Sequence, residues 1–280
     1  MPEQTPPQWT RETNWRQGCV LPPEAATWFG LSNAVDPEAT CLVVVTHDCD
    51  LANDNLDAEP NVEVIAGRTV EAPNGNFTWA KAPRTIHYPV VRDGALVHIE
   101  LTATGKQHVS KSALAPFEPD SRFHLEGSTL SVLRSWLGSR YNRAAFPDTF
   151  VRRMDSTKAN SKLAKVLESH GACISFVYFD LDEGQCIERG DGDAYQLSIV
   201  LVFHPGDDPE IAADKADEAA DAVREAVGSR LADETHIVLK TCFAISEDDV
   251  PVSKVRVLTQ WRIEHMTLRA DEEQLGPPHV

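Results

Sequence analysis

Thr40-Cys-Leu-Val-Val-Val-Thr-His47-Asp48-Cys49-Asp50-Leu51-Ala-Asn53 is a β-branched run that ends in four consecutive side chains able to move protons or hold a metal. The apolar half predicts a buried strand from Cys41 to about His47. A strand needs no His-Asp-Cys-Asp at its end, so that chemistry is surplus to folding and marks the segment as the leading candidate for a site. If the extended backbone runs on to Asp50, alternation places Val43, Val45, His47 and Cys49 on one face and Val44, Thr46, Asp48 and Asp50 on the other.

That alternation separates a soft pair from a hard pair. His47 and Cys49 are half of a zinc set, with further ligands to come from Cys19, Cys41, His87 or His98. Asp48 and Asp50 suit magnesium or manganese, helped by Glu63, in a site fit for phosphodiester hydrolysis. A Cys49 thiolate would need His87 as its base, because neighbours two apart on a strand stand about 6.6 Å from each other. Against all three stands a structural reading: Asp48 and Asp50 end the strand through turn hydrogen bonds, with Cys49 packed as a small hydrophobe.

Outward from this stretch, residues 1–14 read as a loosely held lead-in, and residues 15–120 as a β-rich domain. Trp15-Arg-Gln-Gly18 begins a short strand. Further strands are expected at Val62–Ala66, Phe77–Ala80, Thr85–Val91 and Ala95–Leu101, with turns at Pro73–Asn76 and Arg92–Gly94. Short strands at hairpin spacing predict a small β-barrel or rolled sheet. From Ser128 the period turns helical through Leu130, Leu133, Leu137 and Tyr141. Helices after Pro147 and from about Thr157 to Ser169 complete a basic helical segment over 121–170.

Residues 171–270 read β-β-α-β-α-β. Strands begin at Cys173, Tyr195 and His236, and a Pro209–Leu231 helix is capped by Asp207 or Asp208 and apolar on one face. A further helix over Val250–Gln260 and a closing strand over Arg262–Leu268 precede a mobile tail, 271–280. The expected class is α+β, with an N-terminal barrel or rolled sheet and a C-terminal α+β sandwich.

The net charge of −17 opposes indiscriminate nucleic-acid binding and attachment to an anionic membrane. Between Gly127 and Val166, however, eight basic residues face two acids, so the rest of the chain carries −23. Arg134, Arg140, Arg143 and Arg152 are therefore the candidates for gripping an anionic substrate or nucleic acid. Six scattered cysteines fit no disulfide framework or zinc ribbon and read as thiols. With no run long enough to span a bilayer and no secretory signal, the expected setting is the cytoplasm.

Three likenesses follow from particular residues. Phe179-Asp180-Leu-Asp182 resembles the opening Asp-x-Asp of haloacid-dehalogenase-type phosphatases, but Glu183-Gly184 stands where that motif has Gly-Thr. The Gly18 start followed by the Val-rich strand resembles the small barrel of PemK-type and MazF-type toxins. Thr46 falls near that family's Ser/Thr position, while Leu21–Thr40 lacks its loop arginine. Thr46-His-Asp-Cys-Asp-Leu51, with Trp136-Leu-Gly-Ser-Arg-Tyr and Ala144-Ala-Phe-Pro-Asp148, is similar to an uncharacterised prokaryotic family, which implies no activity. The functional expectation is a metal-assisted hydrolase, possible nuclease chemistry on an anionic substrate included, in a prokaryotic stress or antiviral-defence system. Its Asp48, Cys49 and Asp50 would be catalytic, and His47, Asp48, Cys49 and Asp50 would hold the metal. The alternative is an adaptor with a protein partner, in which the stretch is structural.

Overall fold

The computed structural model describes residues 8–31, 40–139, 146–233, 235–255 and 257–263. It is mixed α+β and divides into two compact units. One holds the described residues up to Ala72 and Arg84–Leu137. The other holds Pro73–Pro83 and the described residues from Gly138 onward.

The first unit runs α1 (Pro23–Trp28), β1 (Thr40–Val44), α2 (Asp48–Leu51), β2 (Asn61–Val70), β3 (Thr85–Arg92), β4 (Ala95–Ser110), α3 (Lys111–Leu114), β5 (Phe123–His124) and α4 (Gly127–Ser139). Its five strands form one antiparallel sheet in the order β1-β2-β4-β3-β5, curled into a half-barrel. The curl has a local cause. Ile65 pairs with Lys106 whereas Gly67 pairs with Leu101, so β4 carries extra residues at this irregularity and bends there. Gly67 permits the close approach, because a Cβ on it would stand 2.5 Å from the Glu100 carbonyl oxygen. The inner face buries Leu42, Val44, Val62, Val64 and Val109 with Trp9, Trp15, Leu51 and Leu114.

Several expectations in this unit are corrected. The Trp15–Val20 region makes only an isolated bridge, Val20 with Val43: the Gly18 N–H donates to the Val44 carbonyl and the Cys19 carbonyl accepts from the Val44 N–H, but the Cys19 N–H turns back to Arg16 and no ladder forms. Strand β1 ends at Val44, three residues short of His47. Phe77–Ala80 is not a strand, since Thr78–Ala80 forms a 3₁₀ turn with Trp79 at φ 57°.

The second unit adds α5 (Asp148–Ser156), α6 (Ala159–His170), β6 (Ile174–Leu181), β7 (Tyr195–Phe203), α7 (Pro209–Gly228), β8 (Ile237–Ser246), α8 (Val252–Val255) and β9 (Thr259–Gln260). The sheet order is β8-β7-β6-β9, and β7 runs parallel to β8 through the α7 crossover. Pro209 stands in the first turn of α7, and the Asp208 carboxylate accepts from the Ile211 N–H, as the sequence predicts. Phe150 and Met154 of α5, Leu163 and Leu167 of α6, and Ala216, Ala220, Val223 and Val227 of α7 cover Val177, Phe179, Leu197, Ile199 and Leu201 of the sheet. The helices grouped by sequence into one basic segment are thus divided: α4 begins in the first unit, and α5 and α6 build the core of the second. The predicted Val250–Gln260 helix is confined to one turn, since Thr259–Gln260 pairs with β6. The strand proposed for Arg262–Leu268 and the tail lie largely outside the described residues. Among the described residues, no helix is long and apolar enough to cross a membrane.

Candidate functional site

The ladder between β1 and β2 fails just beyond Val44. The Val45 N–H still donates to the Glu63 carbonyl, but the Thr46 hydroxyl takes the Glu63 N–H (2.6 Å) that a continued strand would have paired with backbone. His47 then caps a single helical turn, its Nδ1 accepting from the Cys49 N–H at 3.3 Å. This overturns the two-faced strand. At helical spacing His47, Asp48, Cys49 and Asp50 fan around one turn, so the soft and hard pairs do not exist as opposed sets. Leu51 is the inward-facing residue, fully buried, while His47, Cys49 and Asp50 are exposed and Asp48 is half-buried.

Two side chains from distant sequence hold the turn in place. Asp48 Oδ1 accepts the backbone N–H of Gln17 at 2.8 Å, and Arg134 Nη2 lies 3.3 Å from Oδ2. Gln17 itself is buried; its Nε2 donates to the Val45 carbonyl (2.8 Å) and its Oε1 accepts from Arg134 Nε (2.8 Å). Gln17, Asp48 and Arg134 therefore form a closed ring of hydrogen bonds joining the N-terminal segment, α2 and α4. Beneath the turn, fully buried Lys111 donates to the carbonyls of Asp50 (2.6 Å) and Asn53 (2.8 Å) and stands 5.7 Å from the Trp9 ring centroid. Burial lowers its pKa, against the pull of Glu59, Asp50 and Asp54.

The other residues considered for this site are employed elsewhere. Glu63 faces Lys106 at 2.9 Å and His108 at 3.3 Å. His87, buried, meets Glu100 at 3.1 Å, and Arg68 reaches the same carboxylate from the neighbouring strand at 2.9 Å. The His87 hydrogen bond, followed by Arg68, keeps the Glu100 carboxyl below its usual range. Burial, with His87 nearby, lowers His98. Cys41 is buried on β1 whereas Cys49 is exposed on α2; burial pushes the Cys19 and Cys41 thiols up, toward inert neutral forms.

Of the four candidate anion-binding arginines, Arg134 is the one tied to Asp48. Arg152 is exposed on α5 and donates to Thr149 Oγ1 at 3.0 Å. Arg140 and Arg143 lie outside the described residues. Among the described residues, no group of three or more His, Cys, Asp and Glu side chains is gathered about a common point fit for an ion. Asp180 and Asp182, the phosphatase-like pair, separate in role: Asp182 accepts from Arg189 Nε (2.8 Å) and the Gln196 N–H (2.9 Å) in a turn.

Sequence reasoning missed Gln17 and Lys111. Gln17 carries no signal beyond its neighbours. Nor does Lys111, because β4 shifts its register between Leu101 and Lys106, and Gln107, at the same period of two, is exposed. Comparison with family models finds no match, and neither curated proteins nor solved structures yield one.

Proposed function

We propose that this chain is a binding or adaptor protein whose His47-Asp48-Cys49-Asp50 turn is a structural junction. The commitment of Asp48 carries this reading: one carboxylate oxygen serves a backbone N–H and the other an arginine, so its charge is spent on joining three segments. Lys111 adds to it, since a buried cation that satisfies the carbonyls at the end of the turn serves order rather than turnover.

A metal-assisted hydrolase acting on an anionic substrate is the second reading, and one observation favours it. Among the described residues the Cys49 thiol and the Asp50 carboxylate are exposed and make no hydrogen bond, so both remain free to meet a zinc, magnesium or manganese ion or a substrate. His47, also exposed, would stand beside them with its Nδ1 already accepting from the Cys49 N–H.

The two readings separate in one set of variants. Metal content is measured on protein purified without chelators and after addition of zinc or manganese, alongside hydrolysis of an activated phosphodiester. A junction predicts no stoichiometric metal, no turnover, and a melting temperature lowered by Asp48→Asn but not by Asp50→Asn. Stoichiometric metal or turnover lost in Cys49→Ser or Asp50→Asn would replace the junction with the catalytic reading.

A further inference from the structure

The first unit carries a large aromatic surface that its core does not use. Trp28, the last residue of α1, is 72% exposed, although its helix buries Ala25 and Ala26. Its ring lies 6.5 Å from that of Phe117, and the Phe29 ring lies 6.4 Å from Phe117, both at interplanar angles of 55°. Three rings thus meet around Phe117 with the indole left open to solvent. An indole is the side chain with most to gain from being covered, and it is the residue most enriched where proteins anchor partners.

The charges beside the rings select the partner. Glu24 stands one helical turn before Trp28 on the same face of α1, and Glu118 follows Phe117 directly; both are exposed. An aromatic face with carboxylates at its rim attracts a cation with an alkyl stem, through the ring quadrupole and the flanking charge together. The same unit already uses this chemistry internally, with Lys111 over Trp9 and Arg92 5.4 Å from the Phe123 ring centroid. A second copy of the chain fits poorly, since two-fold pairing would bring Glu24 and Glu118 against their counterparts on a chain of charge −17. Phosphate-bearing partners meet the same repulsion.

We propose that Trp28, Phe29 and Phe117, rimmed by Glu24 and Glu118, form the docking surface for a protein segment presenting a lysine or arginine beside an apolar side chain. This rests on the binding-protein reading above and gives it a surface and a partner chemistry.

The test is to pan a displayed library of random linear peptides against the full chain and its Trp28→Ser variant in parallel. Because Trp28 is exposed, the variant keeps the fold, as circular dichroism will verify. Peptides recovered on wild type are expected to carry Lys or Arg next to an aliphatic or aromatic residue. Synthetic copies should bind Trp28→Ser about tenfold more weakly or worse. A Glu24→Gln, Glu118→Gln double variant should also bind more weakly and lose most of the salt dependence. Recovered peptides that bind Trp28→Ser as tightly as wild type overturn the surface and leave the binding reading standing. Failure to enrich any peptide over bare support overturns both.

Discussion

Lys81 offers the sharpest test of the second unit, because its side chain is fully buried and its Nζ lies within hydrogen-bond distance of three acceptors, all of which only the ammonium form can serve at once. Nζ donates to Thr78 Oγ1 at 3.0 Å, to the Gly171 carbonyl at 2.9 Å and to the Ile174 carbonyl. It thereby fastens the end of α6 and the start of β6 to the 3₁₀ turn. Lys81→Met preserves length and bulk but removes every donor. The Gly171 carbonyl keeps the Ile174 N–H at 3.2 Å and the Thr78 hydroxyl still donates to the Gly75 carbonyl at 3.1 Å, so the loss falls mainly on the Ile174 carbonyl, at about 1–3 kcal/mol. This loss is offset at lower pH, because burial pushes the Lys81 amine down to about 7 from an ordinary 10.5. Between those two values the unfolded chain binds a proton that the native protein does not, so wild-type stability rises with pH. Below the folded value the desolvation cost is fully present. The methionine variant has no such term. Chemical denaturation of both proteins at several pH values should therefore show the gap between them widening by about 1.4 kcal/mol per pH unit above about pH 7. Amide exchange at residues 171–176 localises the effect to this unit. A gap that stays constant with pH would refute the neutral amine, and a methionine variant as stable as wild type at about pH 9 would refute the donor role.

The remaining expectations concern the junction, a close approach and the thiols. Lys111→Met should cost about 1–3 kcal/mol by taking the ammonium from the Asn53 carbonyl and leaving the Asp50 carbonyl only the Asn53 N–H, and should speed proteolysis or amide exchange across residues 48–53. Gln17→Leu should cost about 1–3 kcal/mol, and combined with Arg134→Met it should cost less than the sum, because the two share one ring of hydrogen bonds; a strictly additive pair in denaturation experiments would break that ring as an account. Gly75→Ala places a Cβ 2.0 Å from the Leu167 carbonyl oxygen and should destabilise by about 3 kcal/mol or more, whereas Gly94→Ala, at φ +82° with open space around it, should cost about 1 kcal/mol in the same melting assay. Under native conditions a thiol reagent should modify exposed Cys49 well before Cys242, which is buried and pushed up to about 12 chiefly by that burial; equal rates would contradict both placements.

What was legible in the sequence was the part decided by local pattern. Period-two alternation located β2, β3 and β4, Asp208-Pro209 marked the start of α7, and the helical repeat of Leu130, Leu133 and Leu137 located α4. What failed was decided elsewhere. Pro73–Asn76 reads as the turn of a hairpin, yet residues 73–83 leave the sheet and pack in the second unit. There Asn76 Nδ2 donates to the Ala164 carbonyl and Trp79 Nε1 to the Ala172 carbonyl. Those partners are 88 and 93 residues away, beyond the reach of any turn signal.

The organising stretch shows the same limit at its most consequential point. Alternation through Asp50 assumed that a strand continues until something breaks it, and no proline or glycine stands between Cys41 and Asn53. The break is instead made by competition: the Thr46 hydroxyl takes one ladder donor from Glu63, and Gln17 takes the Val45 carbonyl from the side. Once the backbone turns, Asp48 faces Arg134 across 86 residues of sequence. Both were legible as charges, one among the candidate catalytic acids and the other among the candidate substrate-binding bases. Their pairing changes the meaning of each. A carboxylate next to an uncommitted arginine invites an anionic substrate, but here Gln17 closes the ring and leaves the arginine Nε and one Nη engaged. The residue that decides between chemistry and architecture at Asp48 is therefore Gln17, a buried amide with no charge to draw attention to it.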